Sequence, residues 1–247
     1  MNVVAIIQAR MGSTRLPGKV LTDLGGESML ARVVRRVRRA TSLGQTVVAA
    51  TESEADDPIS RECERLGVAL FRGSELDVLD RFYQAARRFS AAAVVRITSD
   101  CPLIDPGVID RVVGAYLDWQ PDYASNVLRR TYPRGLDAEV VSLEALERAW
   151  HEASEPYRRV HVTPFVYQHP EWFRLLSLTC GPEPMRDASR LRWTVDTAED
   201  LGLVREIYRR FGGEDTFGWT DVLDLLERDP SLVELNRAVQ QKALHEG

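Results

Sequence analysis

The chain has 247 residues, 44% of them hydrophobic and 28% charged, with a formal net charge of −5. This is long enough for one large α/β domain and too acidic for a broad nucleic-acid-binding face, so no nucleic-acid partner is expected. No apolar run approaches the roughly 18 residues of a membrane helix, and the start, Met1-Asn2-Val3-Val4, lacks a basic leader and a cleavage site, so a cytoplasmic location is expected.

The first element is a continuous apolar strand, Val3–Gln8, as a parallel strand buried on both faces would be. A helix follows over Met29–Ala40, with Met29, Val33, Val34 and Val37 on one face. Its arginines, Arg32, Arg35, Arg36, Arg38 and Arg39, are expected to form a solvated face. Gln45–Ala50 is a second strand, and Asp56-Asp57-Pro58 starts a helix that Gly67 stops. Val68–Phe71, a helix from Asp77 to Phe89, the strand Ala92–Ile97 and a helix from Pro106 to Trp119 continue the alternation. Strands about 20–25 residues apart with helices between them predict a mostly parallel sheet covered on both faces. In such sheets ligands bind at the carboxyl ends of the strands, so the loops at Ala9–Lys19, Arg72–Asp77 and Thr98–Asp100 should share one crevice.

Beyond residue 120 the pattern loosens. Tyr123–Ser125 and Leu136–Val141 read as strands, Leu143–Glu152 as a helix, and Trp172–Leu178 and Arg190–Val195 as later strands. Tyr157–Gln168 is ambiguous, because Pro164 interrupts it. Helices are expected from about Ala198 to Phe211 and from Trp219 onward, the latter with Val222, Leu223 and Leu226 on its apolar face. The expected organisation is one domain over 1–247 with a second-half insertion at about 121–185.

The segment that carries most chemistry is Gln8-Ala9-Arg10-Met11-Gly12-Ser13-Thr14-Arg15-Leu16-Pro17-Gly18-Lys19. A buried strand that opens into a basic, hydroxyl-rich, glycine-containing loop suits an anion: exposed N–H groups approach it while Arg and Lys neutralise it. The chain has only two lysines, Lys19 and Lys242, so an ammonium in this loop stands out against the arginine bias. The Walker spacing is missed by one residue, Val20 stands where a hydroxyl would hold the metal, and the dinucleotide fingerprint is absent.

Asp100 and Asp196 each follow an expected strand and would overlook the basic loop. Two carboxylates facing a triphosphate make electrostatic sense with a cation between them, and Mg²⁺ is held in this way by carboxylates and substrate phosphates. Taken alone, Asp196-Thr197-Ala198-Glu199 also fits a helix N-cap and Asp100 a turn before Pro102. Arg134-Gly135-Leu136-Asp137-Ala138-Glu139 is a second cluster. Asp137 and Glu139, two apart on an expected strand, would share a face and suit sugar hydroxyls, while Arg134 suits a carboxylate. His151, His161, His169 and His245 form no metal motif; His161, among polar residues, is a candidate substrate contact or a structural histidine. Cys63, Cys101 and Cys180 form no C-x-x-C pair, which argues against disulfides and zinc.

The Gln8–Lys19 segment closely resembles the N-terminal motif of the sugar-acid cytidylyltransferases, the enzymes that make CMP-KDO and CMP-neuraminate. Ser99-Asp100-Cys101-Pro102 and Val195-Asp196-Thr197-Ala198-Glu199-Asp200 are similar to that family's two magnesium-binding segments. Gly73-Ser74-Glu75-Leu76-Asp77-Val78-Leu79-Asp80-Arg81 and Arg134–Glu139 resemble the branch described as spore coat polysaccharide biosynthesis protein F. The resemblance implies a nucleotide-diphosphosugar transferase fold (Rossmann-like, GT-A type), CTP as donor, Mg²⁺ at Asp100 and Asp196, and a homodimer. It places the loop residues Ala9, Arg10, Met11, Gly12, Ser13, Arg15 and Lys19 at the triphosphate, with Ser74 and Arg81 near the nucleotide. Arg10, Arg15, Lys19 and Asp100 would be the catalytic set, and Arg134, Asp137, Glu139 and His161 the acceptor set. The expected reaction joins CTP to a sugar or sugar acid with release of pyrophosphate. The alternatives are a glycosyltransferase that consumes a preformed nucleotide sugar, and a non-catalytic nucleotide-binding protein of a polysaccharide pathway.

Overall fold

A computed structural model describes residues 1–181 and 187–242. The first half alternates strictly: β1 (Val3–Gln8), α1 (Met29–Val37), β2 (Gln45–Thr51), α2 (Asp57–Leu66), β3 (Ala69–Gly73), α3 (Val78–Arg88), β4 (Ala93–Thr98) and α4 (Pro106–Trp119). The second half adds β5 (Tyr123–Ser125), β6 (Glu139–Ser142), α5 (Leu143–Glu152), α6 (Pro156–His161), α7 (Pro164–Tyr167) and β7 (Leu175–Ser177). It closes with α8 (Ala198–Arg210), α9 (Trp219–Arg228) and α10 (Ser231–Glu234).

Among the described residues, seven strands form one sheet in the order β3-β2-β1-β4-β6-β5-β7. β1 pairs in parallel with β2 and β4, and β2 with β3. β6 runs antiparallel to β4 and β5, while β7 is parallel to β5. The result is the expected mostly parallel α/β sheet, with β6 reversing the direction beside β4. The segment expected as an insertion supplies β5, β6 and β7 to this same sheet; residues 182–185 of it lie outside the described residues, as does His245.

β1 shows how the two layers arise. Val3, Ala5 and Ile7 point to a core that includes Val33, Val34, Val112 and Val113 of α1 and α4. Val4 and Ile6 point to the opposite core, with Leu79, Phe82 and Leu146 of α3 and α5. Alternate residues of an extended chain face opposite sides, so a strand buried on both must be apolar throughout. A third cluster, with Met29, Trp193, Tyr208 and Phe217, packs α8 and α9 against the start of α1. Among the described residues no helix is long and apolar enough to cross a membrane.

Four expectations need correction. Arg190–Val195 forms only an isolated bridge, Arg192 to Arg134, instead of a sheet strand. Asp137 precedes β6 and is not in it, so Asp137 and Glu139 do not share a strand face. The cap of α8 is Thr197 with Asp200, a reciprocal capping box, and not Asp196 with Glu199. Of the five arginines expected on a solvated face, Arg38 and Arg39 are exposed and Arg35 half-buried, but Arg32 and Arg36 are 2% and 0% exposed. Arg32 donates to the carbonyls of Leu24, Gly25 and Gly213, and Arg36 to those of Ile104, Asp215 and Phe217. Their guanidinium groups cross-link segments whose own carbonyls find no helix or strand partner, which is how a buried arginine offsets its desolvation.

Candidate active site

Lys19 is placed by its neighbour. Gly18 takes a left-handed conformation at φ 70°, and the chain then turns through the short 3₁₀ segment Lys19–Leu21. This aims the ammonium at three oxygens: Lys19 Nζ lies 3.0 Å from Asp100 Oδ2, 2.9 Å from Asp196 Oδ1 and 2.7 Å from the Val195 carbonyl. Burial disfavours the charge on Lys19, but Asp100 and Asp196 outweigh it, and its pKa is raised. Burial likewise opposes ionisation of Asp100, yet Lys19, with hydrogen bonds from Thr98 and Cys101, lowers its pKa. Both ions therefore persist at neutral pH.

Asp100 sits two residues beyond β4, in a turn fixed by a hydrogen bond from the Ser99 amide to the Gln8 carbonyl at 3.0 Å. The Val195 amide donates to the Asp100 carbonyl at 2.8 Å, which ties the two aspartate segments together. Asp196 is released from capping because Thr197 does that work, and its carboxylate faces the basic loop. Arg15 reaches Asp196 Oδ2 at 3.1 Å and Arg192 reaches the same oxygen at 2.6 Å.

The rest of the opening loop is held from beneath. The Ala9 amide donates to the Ala49 carbonyl, and the Met11 amide to Asp56 Oδ1 at 2.7 Å. The Met11 carbonyl accepts from the amides of Ser13 and Gly18, and Ser13 Oγ from the Leu16 amide. Arg10 and Gly12 are exposed, and a Cβ on Gly12 would meet nothing within 4 Å, so the loop's outer side is open.

A cleft of about 500 Å³ is lined by Arg15, Asp100, Arg134, Asp137, His161 and Asp196, together with Gln8, Arg96, Thr98 and Thr194. A second lobe of about 390 Å³, lined by Glu139, Arg130, Thr163 and Tyr167, shares Arg96, Arg134, Asp137 and His161 with it. Asp137 is gripped by both Nη groups of Arg130, at 2.6 and 2.9 Å. Glu139 is buried and accepts from Arg96 at 2.5 Å, Tyr123 at 2.6 Å and Thr163 at 2.7 Å. Arg134 makes no side-chain hydrogen bond or ion pair among the described residues; burial, and then Arg130 nearby, lower its pKa. Its carbonyl and amide instead bond Trp193 and Leu191, which fixes its backbone beside the Asp196 segment.

Arg10, Ser74 and Arg81 do not line this cleft. Arg81 is 1% exposed, donates to the Ser74 carbonyl at 3.0 Å, and leaves Nε without a partner among the described residues. Burial, ahead of every neighbouring charge, brings its pKa down to about 10. Sequence reasoning missed Arg96, Arg130 and Arg192. Arg96 left a signal, a lone charge inside the apolar run Val94–Ile97; the other two left none.

Among the described residues no group of three or more His, Cys, Asp or Glu side chains could hold a metal ion. Asp100 and Asp196 do fit a hard divalent cation of the kind that takes one or two carboxylates and completes its shell with phosphate and water oxygens. Both already converge on one positive charge.

A basic loop beyond β1, a carboxylate just past β4, a second just before α8 and a cleft over a mostly parallel sheet define a nucleotidyltransferase. The family model described as Cytidylyltransferase matches residues 4–242, and the chain belongs to this family. It is 38% identical over 246 residues to the uncharacterized protein MJ1063 of Methanocaldococcus jannaschii, covering 100% of this chain and 99% of that one. It is 36% identical over 234 residues to the spore coat polysaccharide biosynthesis protein SpsF of Bacillus subtilis, covering 93% and 95%. The solved structure of a cytidylyltransferase from Leptospira borgpetersenii superposes with a TM-score of 0.90 at 33% identity, over 98% of this chain and 99% of that one.

Proposed function

We propose that the chain couples CTP to a sugar or sugar acid, giving a CMP-sugar and pyrophosphate for cell-surface polysaccharide synthesis. The observation that carries this reading is the ammonium of Lys19 shared between Asp100 and Asp196, at 3.0 and 2.9 Å. It marks a point where two carboxylates from separate segments and a basic loop all meet one cation. The family membership supports the nucleotide, and the similarity to SpsF supports the pathway.

An acceptor hydroxyl attacks the α-phosphorus of CTP; the bond from that phosphorus to the bridging oxygen breaks, and pyrophosphate leaves with that oxygen. Asp100 and Asp196 would hold Mg²⁺, which when bound neutralises phosphate charge as a Lewis acid. The loop residues Ala9, Met11, Gly12 and Ser13 shape the triphosphate side, the amides of Ala9, Met11 and Ser13 being held by protein acceptors so that the loop keeps its form. Arg10, Arg15 and Lys19 neutralise the phosphate oxygens, as positioning and charge stabilisation are most of what phosphoryl transfer asks of a protein. Ser74 and Arg81 support the nucleotide side of the loop. Arg134, beside Asp137, Glu139 and His161, receives the acceptor, its guanidinium, unpaired among the described residues, suiting an anionic group. A cytoplasmic homodimer completes the reading, on the family resemblance.

The test is pyrophosphate release with CTP and Mg²⁺ against a panel of sugar acids, neutral sugars and sugar phosphates. Turnover on at least one acceptor, with a CMP-linked product, is expected. Hydrolysis or transfer from a preformed nucleotide sugar without pyrophosphate, or no turnover on any acceptor, overturns the reading.

A further inference from the structure

Asp196 is not on a strand, so its orientation has to come from somewhere else. A set of linked hydrogen bonds supplies it. Asp200, fully buried, accepts the Asp196 amide at 3.0 Å and the Thr197 amide at 3.2 Å through Oδ2. Its Oδ1 accepts from Arg192 Nε at 2.9 Å and from Asn236 Nδ2 at 2.8 Å. Arg192 then passes from Asp200 to the catalytic cleft, where Nη2 bonds Asp196 Oδ2 at 2.6 Å. Asn236 also donates to the Arg192 carbonyl at 2.9 Å, and so holds that residue's main chain as well.

We propose that Arg192, Asp200 and Asn236 are positioning residues that brace Asp196 for cation binding, an inference that rests on the reading of Asp196 as a metal ligand. The brace grips both handles of Asp196, its amide through Asp200 and one carboxylate oxygen through Arg192. Lys19 and Arg15, the other cations on Asp196, belong to the opening loop, whose charges the phosphates would claim. Arg192 is tied to a buried carboxylate and to Asn236, and stays. It occupies Oδ2, which leaves Oδ1 as the oxygen that Lys19 gives up. Outer-shell partners of this kind orient a ligating carboxylate and set the affinity of its metal. Asn236 lies just past α10, 40 residues beyond Asp196, so the later part of the fold reaches the metal ligand through this chain of bonds, as does Gln241, whose Oε1 accepts from Arg192 Nη1.

A plain charge effect predicts the opposite sign. If Arg192 only competed electrostatically with the cation, Arg192→Gln would bind metal more tightly and Arg192→Lys would behave as the natural chain. A brace needs a guanidinium that can bond two carboxylates at once, which an ammonium does not reproduce.

The experiment is a Mn²⁺ titration of the full chain without nucleotide, followed by the electron paramagnetic resonance of free Mn²⁺, with thermal melting of each variant. Asp196→Ala is the control for the underlying reading. Arg192→Lys is expected to weaken Mn²⁺ about tenfold, and Asn236→Ala, which leaves every arginine–carboxylate contact in place, about threefold. In the turnover assay, excess Mn²⁺ should restore kcat of Arg192→Lys, which a merely misfolded variant would not show. Wild-type affinity in Arg192→Lys or Asn236→Ala, or tighter binding in Arg192→Gln, overturns the brace while Asp196→Ala still marks a ligand. Wild-type affinity in Asp196→Ala overturns the metal reading and the brace with it. Should the Arg192 variants fail to fold, Asn236→Ala decides alone.

Discussion

Gly135 packs against Thr194 so closely that a Cβ on it would lie 2.7 Å from the Thr194 amide nitrogen. Its φ of +108° is itself a conformation that side chains rarely adopt. This contact lets the backbone of Arg134 run beside Trp193 and so brings the Arg134 side chain next to the Asp196 segment. Gly135→Ala is therefore expected to cost about 3 kcal/mol of stability from strain and backbone displacement. Chemical denaturation would measure it.

Lys19→Ala removes the cation that Asp100 and Asp196 share. Arg15 and Arg192 still neutralise Asp196, so the fold should hold. Turnover with CTP should drop about 100-fold or more, the scale of losing one donor to a developing charge. Pyrophosphate release beside a circular dichroism melt separates the two effects; full activity would remove Lys19 from the mechanism.

Arg134→Ala should act on the acceptor alone. Its guanidinium makes no hydrogen bond or ion pair among the described residues, so the KM for the acceptor is expected to rise about tenfold or more with the KM for CTP unchanged. Initial-rate kinetics with each substrate varied in turn would show it. A change confined to CTP would move Arg134 to the nucleotide side.

The thiols give a pH signature. All three cysteines are buried; burial, with Glu62 and Glu64 nearby, pushes Cys63 up to about 12, and burial and Asp100 push Cys101 well above its usual range. A raised folded pKa stabilises the fold below the unfolded value near 9 and is lost as pH rises toward the folded one, so for Cys63 the loss falls between 9.0 and about 12. Urea midpoints should fall across that alkaline window, less so in Cys63→Ala. At pH 8 the folded chain should leave a thiol reagent unreacted until denaturant is added.

Removing Arg36 would strand the carbonyls of Ile104, Asp215 and Phe217, and Arg36→Met should cost on the order of 3 kcal/mol. The same helix shows where reading a sequence stops. The spacing of Met29, Val33, Val34 and Val37 marks α1 clearly, because apolar periodicity is a local property. Whether an arginine on the opposite side meets water or the segment around Gly213–Phe217 depends on contacts 179–183 residues away, and nothing in the helix records them. The parallel half of the sheet was legible for the same local reason, from strands that are mostly apolar, with Arg72 in β3 and Arg96 in β4 the charged exceptions. The antiparallel insertion of β6 between β4 and β5 was not, since strand order is decided by pairing and not by composition. In the candidate site, Lys19, Asp100 and Asp196 stood out by residue type at loop positions, whereas Arg130 and Arg192 are two arginines among many until the fold brings carboxylates to them.

The arginine links of α1 also bear on the order of synthesis. The basic loop after β1, α1 and the first four strands leave the ribosome early, yet Arg32 and Arg36 draw their partners partly from Gly213, Asp215 and Phe217. Until those residues emerge, two cations meant for the interior have half of their acceptors missing. The nascent chain should therefore stay open to chaperones and proteases through most of translation, and a ribosome-bound chain arrested before Gly213 should be digested far faster than one released past Phe217.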